Sequence, residues 1–280
     1  MFEILKKEVL NPTVTRMVIA APMVARKAEP GQFIILRTDA NGERIPLTIA
    51  DYDREQGTVT IIFQVVGGTT ERLNHMNEGE YLQDFVGPLG KKTHTDGLRK
   101  VAVVGGGVGC AIAFPVAKKL HSLGCEVHAV IGFRNRDLVI LEKEFEENSS
   151  RVVKMSDDGS WGEQGLVTDA LTGLIEAGEQ YDEVITIGPL IMMKFVCGVA
   201  VKHGIKCIAS MNPIMIDGTG MCGGCRLTVG GKTVFACVDG PEFDGALIDF
   251  DEAMARGAMY RDFERHRHEQ TCNLFAKEVE

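Results

Sequence analysis

Hydrophobic residues in the first third of the chain form short runs that are typical of β-strands. The runs are rich in Val, Ile, Phe and Thr, and turn pairs such as Asn11-Pro12 and Gly67-Gly68 separate them. The pattern predicts strands at residues 13–20, 32–37, 45–50, 58–66 and 81–86, with one short helix at residues 70–76. Evenly spaced strands without long helices predict a small antiparallel β-barrel over residues 1–98.

The period of the pattern changes near residue 100, where strands begin to alternate with helices. Strands are predicted at residues 101–104, 126–131, 151–155 and 183–187, and a last strand at residues 206–210. Helices are predicted up to residue 122 and at residues 138–147, 167–177 and 192–203. This alternation predicts a parallel sheet with helices on both faces over residues 99–211. A small separate module at residues 212–248 and a helical tail at residues 249–280 complete the mixed fold.

Composition and charge exclude several classes of protein. The 280 residues are 45% hydrophobic and 25% charged, as in a globular protein, and the net charge of -9 argues against a nucleic-acid binder. Four glycines and a proline interrupt the longest uncharged run, residues 101–117, so no membrane span is predicted. The N-terminus does not resemble a secretory signal, and eight cysteines then indicate a reducing compartment. We therefore expect a cytoplasmic location.

A glycine-rich loop near the C-terminal end carries the most specific chemistry. Asp217, Cys222, Cys225 and Cys237 follow the spacing D-x4-C-x2-C-x11-C. Zinc prefers four cysteines or a cysteine–histidine set, and the nearest histidines do not lie at ribbon spacing. A [2Fe–2S] cluster accepts the C-x4-C-x2-C spacing with a distant fourth ligand. We favour cluster ligation with Asp217 in the first position, although Asp-Gly is also a common turn.

The remaining cysteines are isolated in apolar settings. They are expected to be small buried hydrophobic residues, and they are Cys110, Cys125, Cys197, Cys207 and Cys272.

Two segments are candidate phosphate-binding sites. The first is the glycine turn between the strand at residues 101–104 and the helix that follows, where backbone amides can approach a pyrophosphate. The next strand ends in Gly132-Phe133-Arg134, without an acidic residue to hold a ribose. An ordinary Rossmann dehydrogenase is therefore disfavoured, and a related nucleotide-binding sheet is favoured.

The second segment is in the predicted barrel. Arg44 and Thr48 lie on one face of a strand, where they can meet a diphosphate and a flavin ring. A surface arginine and an ordinary strand threonine would be the simpler interpretation of these two residues alone. Residues 67–70 add a second phosphate cradle at the start of the short helix, and together the two features favour a bound dinucleotide.

Five motifs in order along the chain resemble one known family. They are Pro30-Gly-Gln-Phe33, Arg44-x-Pro-Leu-Thr48, Gly87-Pro-Leu-Gly90, the Gly105-Gly-Gly-Val-Gly109 turn and Gly188-Pro-Leu-Ile-Met192. The chain resembles the ferredoxin-reductase-type electron-transfer subunits that carry FAD, a nicotinamide site and a C-terminal [2Fe–2S] cluster. Its Asp-x4-Cys-x2-Cys loop resembles that of the small subunit of electron-bifurcating NADH-dependent reduced ferredoxin:NADP oxidoreductase. The sulfide dehydrogenase subunit and the dihydroorotate dehydrogenase electron-transfer subunit are similar alternatives.

The resemblance implies a set of cofactors and the residues that hold them. It implies FAD, a [2Fe–2S] cluster and NAD(H), with NADP(H) disfavoured, although Arg134 and Arg136 are suited to a 2′-phosphate. The implied barrel residues are Arg44, Pro46, Leu47, Thr48, Phe63, Gln64, Val65, Gly68, Thr69 and Thr70. The implied nicotinamide-site residues are Gly105, Gly106, Gly107, Val108, Gly109, Arg134, Gly188, Pro189 and Met192. One departure is Ile187, where many reductases of the wider fold carry a cysteine.

The resemblance further implies a relay that exchanges a hydride between NADH and FAD and passes single electrons through the cluster to a large iron–sulfur flavoprotein subunit. No acid–base pair or nucleophile is needed, and none is predicted. A non-redox alternative stays open: a nucleotide-binding module with a zinc-stabilised loop. Iron and acid-labile sulfide would select the redox function, and zinc in a colourless protein would select the alternative.

Overall fold

A computed structural model describes residues 2–259 of the chain. Seven antiparallel strands form the first sheet: β1 (Phe2–Asn11), β2 (Val14–Ala20), β3 (Phe33–Arg37), β4 (Ile45–Asp53), β5 (Thr58–Gln64), β6 (Tyr81–Leu82) and β7 (Asp84–Leu89). Their order is β6-β1-β2-β5-β4-β3-β7, and only Gln83 separates the two terminal strands in sequence. The sheet therefore curls into the expected barrel, with α1 (Pro22–Ala25) and α2 (Gly68–His75) beside it.

The sequence pattern predicted the barrel strands but missed β1. This strand pairs with β2 and carries the consecutive charged residues Lys6, Lys7 and Glu8, which conceal its alternation. Only Ile4 and Asn11 are buried along its length. The pairing with β2 therefore establishes this strand more than its own hydrophobicity does.

The second sheet has seven strands in the order β11-β10-β9-β8-β12-β13-β16. They are β8 (Lys100–Gly106), β9 (Glu126–Phe133), β10 (Arg151–Ser156), β11 (Glu163–Gln164), β12 (Glu183–Ile187), β13 (Lys206–Ser210) and β16 (Glu242–Asp244). The covering helices are α3 (Cys110–Ser122), α4 (Glu142–Glu147), α5 (Val167–Glu176) and α6 (Leu190–Lys202). The central strands are parallel and fully buried, as their continuous apolar sequences predicted.

Two predictions for this sheet were wrong in detail. The strand at residues 206–210 is not the last, because β16 pairs antiparallel with β13 and makes the sheet mixed. The helix predicted at residues 138–147 begins only at Glu142. Leu141 has a φ of 59°, in the left-handed region that a continuing helix excludes.

Between β13 and β16 lies a small module. It consists of the cysteine loop, the antiparallel hairpin β14 (Arg226–Val229) and β15 (Lys232–Phe235), and α7 (Ala236–Asp239). Helix α8 (Phe250–Gly257) follows β16, and the tail predicted beyond residue 259 lies outside the described residues. The expected class, a barrel followed by an α/β sheet and a small C-terminal module, is confirmed. No helix within residues 2–259 is long and apolar enough to cross a membrane.

Specific contacts hold the barrel against the second sheet. Lys118 on α3 lies 2.7 Å from the Asp51 carboxylate on β4, and Arg16 on β2 lies 2.7 Å from Glu144 on α4. Apolar residues of the barrel, including Ala50 and Ile62, belong to the same hydrophobic cluster as α3. The two sheets thus enclose a groove between them.

Candidate functional site

A groove of about 930 Å³ runs along the carboxyl ends of the parallel strands. Its floor is the turn after β8, and its walls come from the ends of β9, β10 and β12 and from the first turns of α5 and α6. Barrel residues Thr13, Val14 and Gln64 close the other side. In open α/β sheets the carboxyl ends of the strands are where ligands bind.

At Gly109, the glycine turn on the floor leaves space only for backbone. A Cβ on Gly109 would lie 2.5 Å from the carbonyl oxygen of Ile187 and 2.7 Å from the Cα of Gly188. The turn after β8 and the end of β12 can approach each other this closely because neither carries a side chain there. Gly106, Gly107, Val108 and Gly109 line the groove, while Gly105 packs behind it against Cys110. The turn then leads into α3, and the first amides of a helix have no acceptor within the helix.

The segment after β12 lines the groove next to the glycine turn. Gly188, Pro189 and Met192 line the groove, and the thioether of Met192 lies beside both Gly106 and Gly188. Ile187 is buried and lines the groove at the position where a cysteine was noted as absent. Arg134 lies further along, at the end of β9.

The barrel strand β4 presents the other predicted residues. Ile45 and Leu47 pack against the barrel core, so Arg44, Pro46 and Thr48 lie on the opposite face, as expected. This face is directed towards the cysteine loop. The Nε of Arg44 donates a hydrogen bond of 2.8 Å to the carbonyl oxygen of Ile216, and Asp84 lies 3.8 Å from its guanidinium.

The second predicted cradle is formed by backbone more than by side chains. The Thr70 hydroxyl accepts from the amides of Val66 and Gly67, each at 3.0 Å, and it donates to the Gly67 carbonyl. The Thr69 hydroxyl donates to Glu43 at 3.0 Å. Both hydroxyls are thus engaged, and the free amides of the first turn of α2 remain for a ligand.

Phe63, Gln64 and Val65, which precede the predicted cradle at residues 67–70, differ in their access to the groove. Phe63 is 1% exposed and packs in the barrel core, so its side chain is not part of the groove lining. Gln64 lines the groove, and the Val65 amide donates to the Thr13 carbonyl at 2.8 Å.

The cysteine loop brings Cys225 next to Cys237, and it brings the Asp217 carboxylate to the amide of Cys222. The pairing of Arg226 with Phe235 sets Cys225 and Cys237 next to each other, and the Cys237 amide lies 3.5 Å from the Cys225 sulfur. These two cysteines are buried and Cys222 is exposed. Burial, followed by the neighbouring Cys225 thiol, raises the pKa of Cys237 to about 12. A site of thiols in a glycine-rich loop fits a cluster, because thiolates are its usual ligands.

Asp217 acts as a turn residue in this structure. Its carboxylate accepts from the amide of Thr219 at 2.9 Å and from the amide of Cys222 at 2.8 Å. The hydrogen bond from Thr219, followed in importance by that from Cys222, lowers the pKa of Asp217. Two carboxylate oxygens offer about four acceptor positions, so these bonds leave room for a metal ion.

Gly218, next to Asp217, lies directly on the barrel. Its φ is 78°, and a Cβ there would lie 2.7 Å from Leu89 and 2.9 Å from Ile35. The cysteine loop is therefore seated on β3 and β7 as well as bound to Arg44.

The other cysteines behave as predicted where they are described. Cys110, Cys125, Cys197 and Cys207 are all buried, and Cys272 lies outside the described residues. Cys207 contacts the Cys197 sulfur at 3.2 Å beneath α6. Its thiol is thus directed at a helix and not at the loop.

Sequence reasoning missed several residues of the groove. Asp157 after β10, Ser210 at the end of β13 and Asn212 just beyond it all contribute to the lining. The signal was available, because every parallel strand ends at the same edge of the sheet. The predicted residues came from the ends of β8, β9 and β12, and none came from the ends of β10 and β13.

At the opposite end of the sheet lies a group that resembles a metal site in its residue types. Glu126, His128 and Glu179 converge there, but the Lys100 ammonium lies 2.8 Å from Glu126 and 2.5 Å from Glu179. Lysine thus supplies the positive charge, and burial lowers the pKa of His128. We interpret this group as a structural ion-pair network.

Comparisons with known proteins agree with this arrangement. Residues 212–249 match the iron-sulfur cluster binding domain of dihydroorotate dehydrogenase B. The chain is 44% identical over 268 residues to the dihydroorotate dehydrogenase B (NAD(+)) electron transfer subunit homolog of Thermotoga maritima, covering 96% of this chain and 94% of the other. It is 49% identical over 269 residues to an uncharacterized protein in the adh 3'region of Clostridium beijerinckii, covering 93% and 91%.

A solved structure is similar over nearly the whole chain. It belongs to NADH-dependent reduced ferredoxin-NADP oxidoreductase, studied for flavin-based electron bifurcation. The TM-score is 0.92 at 42% identity, covering 96% of this chain and 97% of the other.

Proposed function

The chain belongs to the family of dihydroorotate dehydrogenase B electron transfer subunits and their homologues, and from this premise we propose that it is the FAD- and [2Fe–2S]-carrying subunit of an electron-bifurcating NADH-dependent ferredoxin:NADP oxidoreductase. Its partner would be a large iron–sulfur flavoprotein subunit. When bound, FAD exchanges a hydride for two single electrons, and the cluster carries those electrons one at a time.

The observation that carries the proposal is the contact between Arg44 and Ile216. It joins the strand proposed to hold the flavin to the residue that precedes Asp217. Cofactors that exchange electrons must lie close together, and this contact supports a short distance between the two candidate sites.

Each group of residues then has a defined task. The amides at Gly106–Gly109 would hold the coenzyme diphosphate, and Gly188, Pro189 and Met192 would position its nicotinamide end. Arg44 and the first turn of α2 would hold the FAD diphosphate. Cys222, Cys225, Cys237 and Asp217 would hold the cluster. No acid–base group is required of the protein.

Anaerobic purification of the chain with its native partner tests the proposal. We expect one FAD, two iron and two sulfide per chain, a flavin that NADH bleaches, and a reduced-cluster signal in electron paramagnetic resonance. A colourless protein that contains zinc would contradict the proposal and select the nucleotide-binding module instead.

The co-purified subunit identifies the enzyme. Mass spectrometry of that subunit, followed by assays with ferredoxin plus NADP, with dihydroorotate and with sulfide, distinguishes the three alternatives. Activity with dihydroorotate or sulfide alone would contradict the bifurcating assignment but keep the redox function.

A further inference from the structure

We propose that Arg226 and Arg256 raise the reduction potential of the [2Fe–2S] cluster by holding two positive charges on the turn between Cys222 and Cys225. This inference rests on the proposed function and names two residues that set the driving force for electron transfer through the same loop. A cluster that accepts one electron gains one negative charge, so a nearby cation stabilises the reduced form.

Both guanidinium groups bind carbonyl oxygens of the C-x2-C turn. The Nη1 of Arg226 donates to the Gly223 carbonyl at 3.3 Å, and the Nη2 of Arg256 donates to the Gly224 carbonyl at 3.4 Å. A Cβ on Gly224 would lie 3.6 Å from the Cys222 sulfur. The two charges are thus attached to the short turn that joins two proposed cluster ligands.

The same bonds leave the other side of the turn for the cluster. In a planar trans peptide, the carbonyl oxygen and the next amide hydrogen point in opposite directions. The amides that follow the two bonded carbonyls belong to Gly224 and Cys225, and neither has an acceptor among residues 2–259. Amides without an acceptor suit the sulfur atoms of a cluster, and hydrogen bonds to those sulfurs also affect its potential.

Helix α8 holds Arg256 in place beside the loop. Arg256 lies three positions after the buried Ala253, on the same side of the helix. The Asp249 amide donates to the Thr228 carbonyl at 2.9 Å, which ties the start of α8 to β14. The position of Arg256 therefore depends on the same hairpin that carries Arg226.

No carboxylate neutralises either charge in the part of the chain that the structure describes. The guanidinium groups of Arg226 and Arg256 form no ion pair there, and they donate no hydrogen bond other than the two to the turn. A guanidinium stays charged at any physiological pH. Arg256 is half-buried and Arg226 is exposed, so water and salt screen the charge of Arg256 less.

The test measures the midpoint potential of the cluster in the complete complex. Electron paramagnetic resonance follows the [2Fe–2S] signal during an anaerobic redox titration of Arg256→Gln, Arg226→Gln and Arg256→Lys. Glutamine keeps amide donors for a carbonyl oxygen but carries no charge, whereas lysine keeps the charge. The matched control is Lys232→Gln, because Lys232 is an exposed cation of the same hairpin that pairs with Val229, at the end remote from the turn.

We expect Arg256→Gln to lower the equilibrium constant for reduction of the cluster about tenfold, which is a fall of about 59 mV in the midpoint potential for one electron. Arg226→Gln should lower the potential less, because the charge it removes is more strongly screened. Arg256→Lys should remain close to the unsubstituted complex, and Lys232→Gln should leave the potential unchanged.

Equal potentials in Arg256→Gln, Arg226→Gln and Lys232→Gln would overturn the proposal and leave the proposed function intact. An equal fall in Arg256→Lys and Arg256→Gln would also overturn it, because the charge would not be the cause. If Arg256→Gln loses the cluster, the comparison of Arg226→Gln with Lys232→Gln decides: a lower potential in Arg226→Gln supports the proposal, and equal potentials overturn it. An unsubstituted complex without iron and labile sulfide would overturn both the inference and the proposed function.

Discussion

The Nε of Arg44 lies 2.8 Å from the carbonyl oxygen of Ile216, and this hydrogen bond connects the barrel to the cysteine loop. Arg44 immediately precedes β4, the strand whose outer face is proposed to meet the flavin, and Ile216 precedes the proposed cluster ligand Asp217. One guanidinium can therefore serve two candidate sites, because the bond to Ile216 uses one of its five N–H donors, while Asp84 lies 3.8 Å from its Nη1.

Replacing Arg44 should affect both cofactors. Arg44→Ala removes a charge-assisted contact to the FAD diphosphate and one bond to the loop, so we expect lower FAD retention on gel filtration and faster bleaching of the cluster in air. Arg44→Lys keeps the positive charge but lacks the planar guanidinium that donates two parallel hydrogen bonds. Its FAD retention and cluster stability should therefore be intermediate. The control is Arg37→Ala, since Arg37 binds Asp84 at 2.8 Å but not the loop. Full retention of FAD in Arg44→Ala would remove Arg44 from the flavin site.

Substitutions of Asp217 separate its turn role from ligation. Asp217→Ala loses the bonds to Thr219 and Cys222 together with the proposed ligand, so the cluster should be lost or bound poorly. Asp217→Cys should retain the cluster with a shifted spectrum and potential, because thiolate is the softer donor. Electron paramagnetic resonance after dithionite reduction is the measurement.

The informative control is Asp217→Asn, which keeps an acceptor oxygen for the turn but lacks the anionic ligand. We expect a depleted or spectrally altered cluster in this variant. A native spectrum and potential would show that Asp217 is only a turn residue.

A methyl group at Gly109 should damage the groove floor. The added Cβ would lie 2.5 Å from the Ile187 carbonyl oxygen, so Gly109→Ala must separate the turn after β8 from the end of β12. We expect at least tenfold weaker NAD⁺ binding by calorimetry and a lower melting temperature. Gly198 on α6 has no atom within 4 Å of its Cβ position, so Gly198→Ala should be neutral or stabilising by about 0.5–1 kcal/mol. Equal effects of the two substitutions would contradict the steric argument.

The stability of the fold should depend on Glu242 between pH 4.5 and 7. Burial raises the pKa of Glu242 to about 7 from its ordinary 4.5, while the Thr93 hydroxyl, 2.6 Å from the carboxylate, opposes this rise. The folded state thus binds the proton more tightly, and its contribution is fully present below pH 4.5. Stability falls as the pH rises to about 7, by on the order of 3 kcal/mol.

The measurement is the difference in melting temperature between the unsubstituted protein and Glu242→Gln from pH 4.5 to 8. Glutamine keeps an acceptor for Thr93 but does not titrate, so the variant should gain relative stability as the pH rises. Parallel curves for the two proteins would contradict a proton on the Glu242 carboxyl group.

The sequence predicted those features of the fold that depend on local pattern. The continuous apolar run at residues 101–104 was sufficient for β8, because a strand buried on both faces has no polar positions. The strand β1 was not predictable in this way, since its charges mask the alternation. Strand β16 was missed because three residues are too few to show a period.

The candidate site shows the same difference between features that depend on local sequence and features that depend on distant contacts. The glycine turn and the cysteine loop are contiguous in sequence, and their spacing was readable. Asp157 and Arg134 lie on different strands, and only the parallel pairing of β9 with β10 brings their loops together. The contact of Arg44 with Ile216 spans 172 positions and has no sequence signal.

Strand β16 has a mechanical consequence for the cysteine module. The chain leaves the second sheet after β13 and returns to pair with that same strand, where Ser210 lies opposite Glu242 and the Met211 amide donates to the Pro241 carbonyl at 2.9 Å. Both ends of the module are thus fixed to the edge of the second sheet. Because the module is not attached through a flexible linker within residues 2–259, we expect it to keep its position, so a partner that exchanges electrons with it must bind next to it.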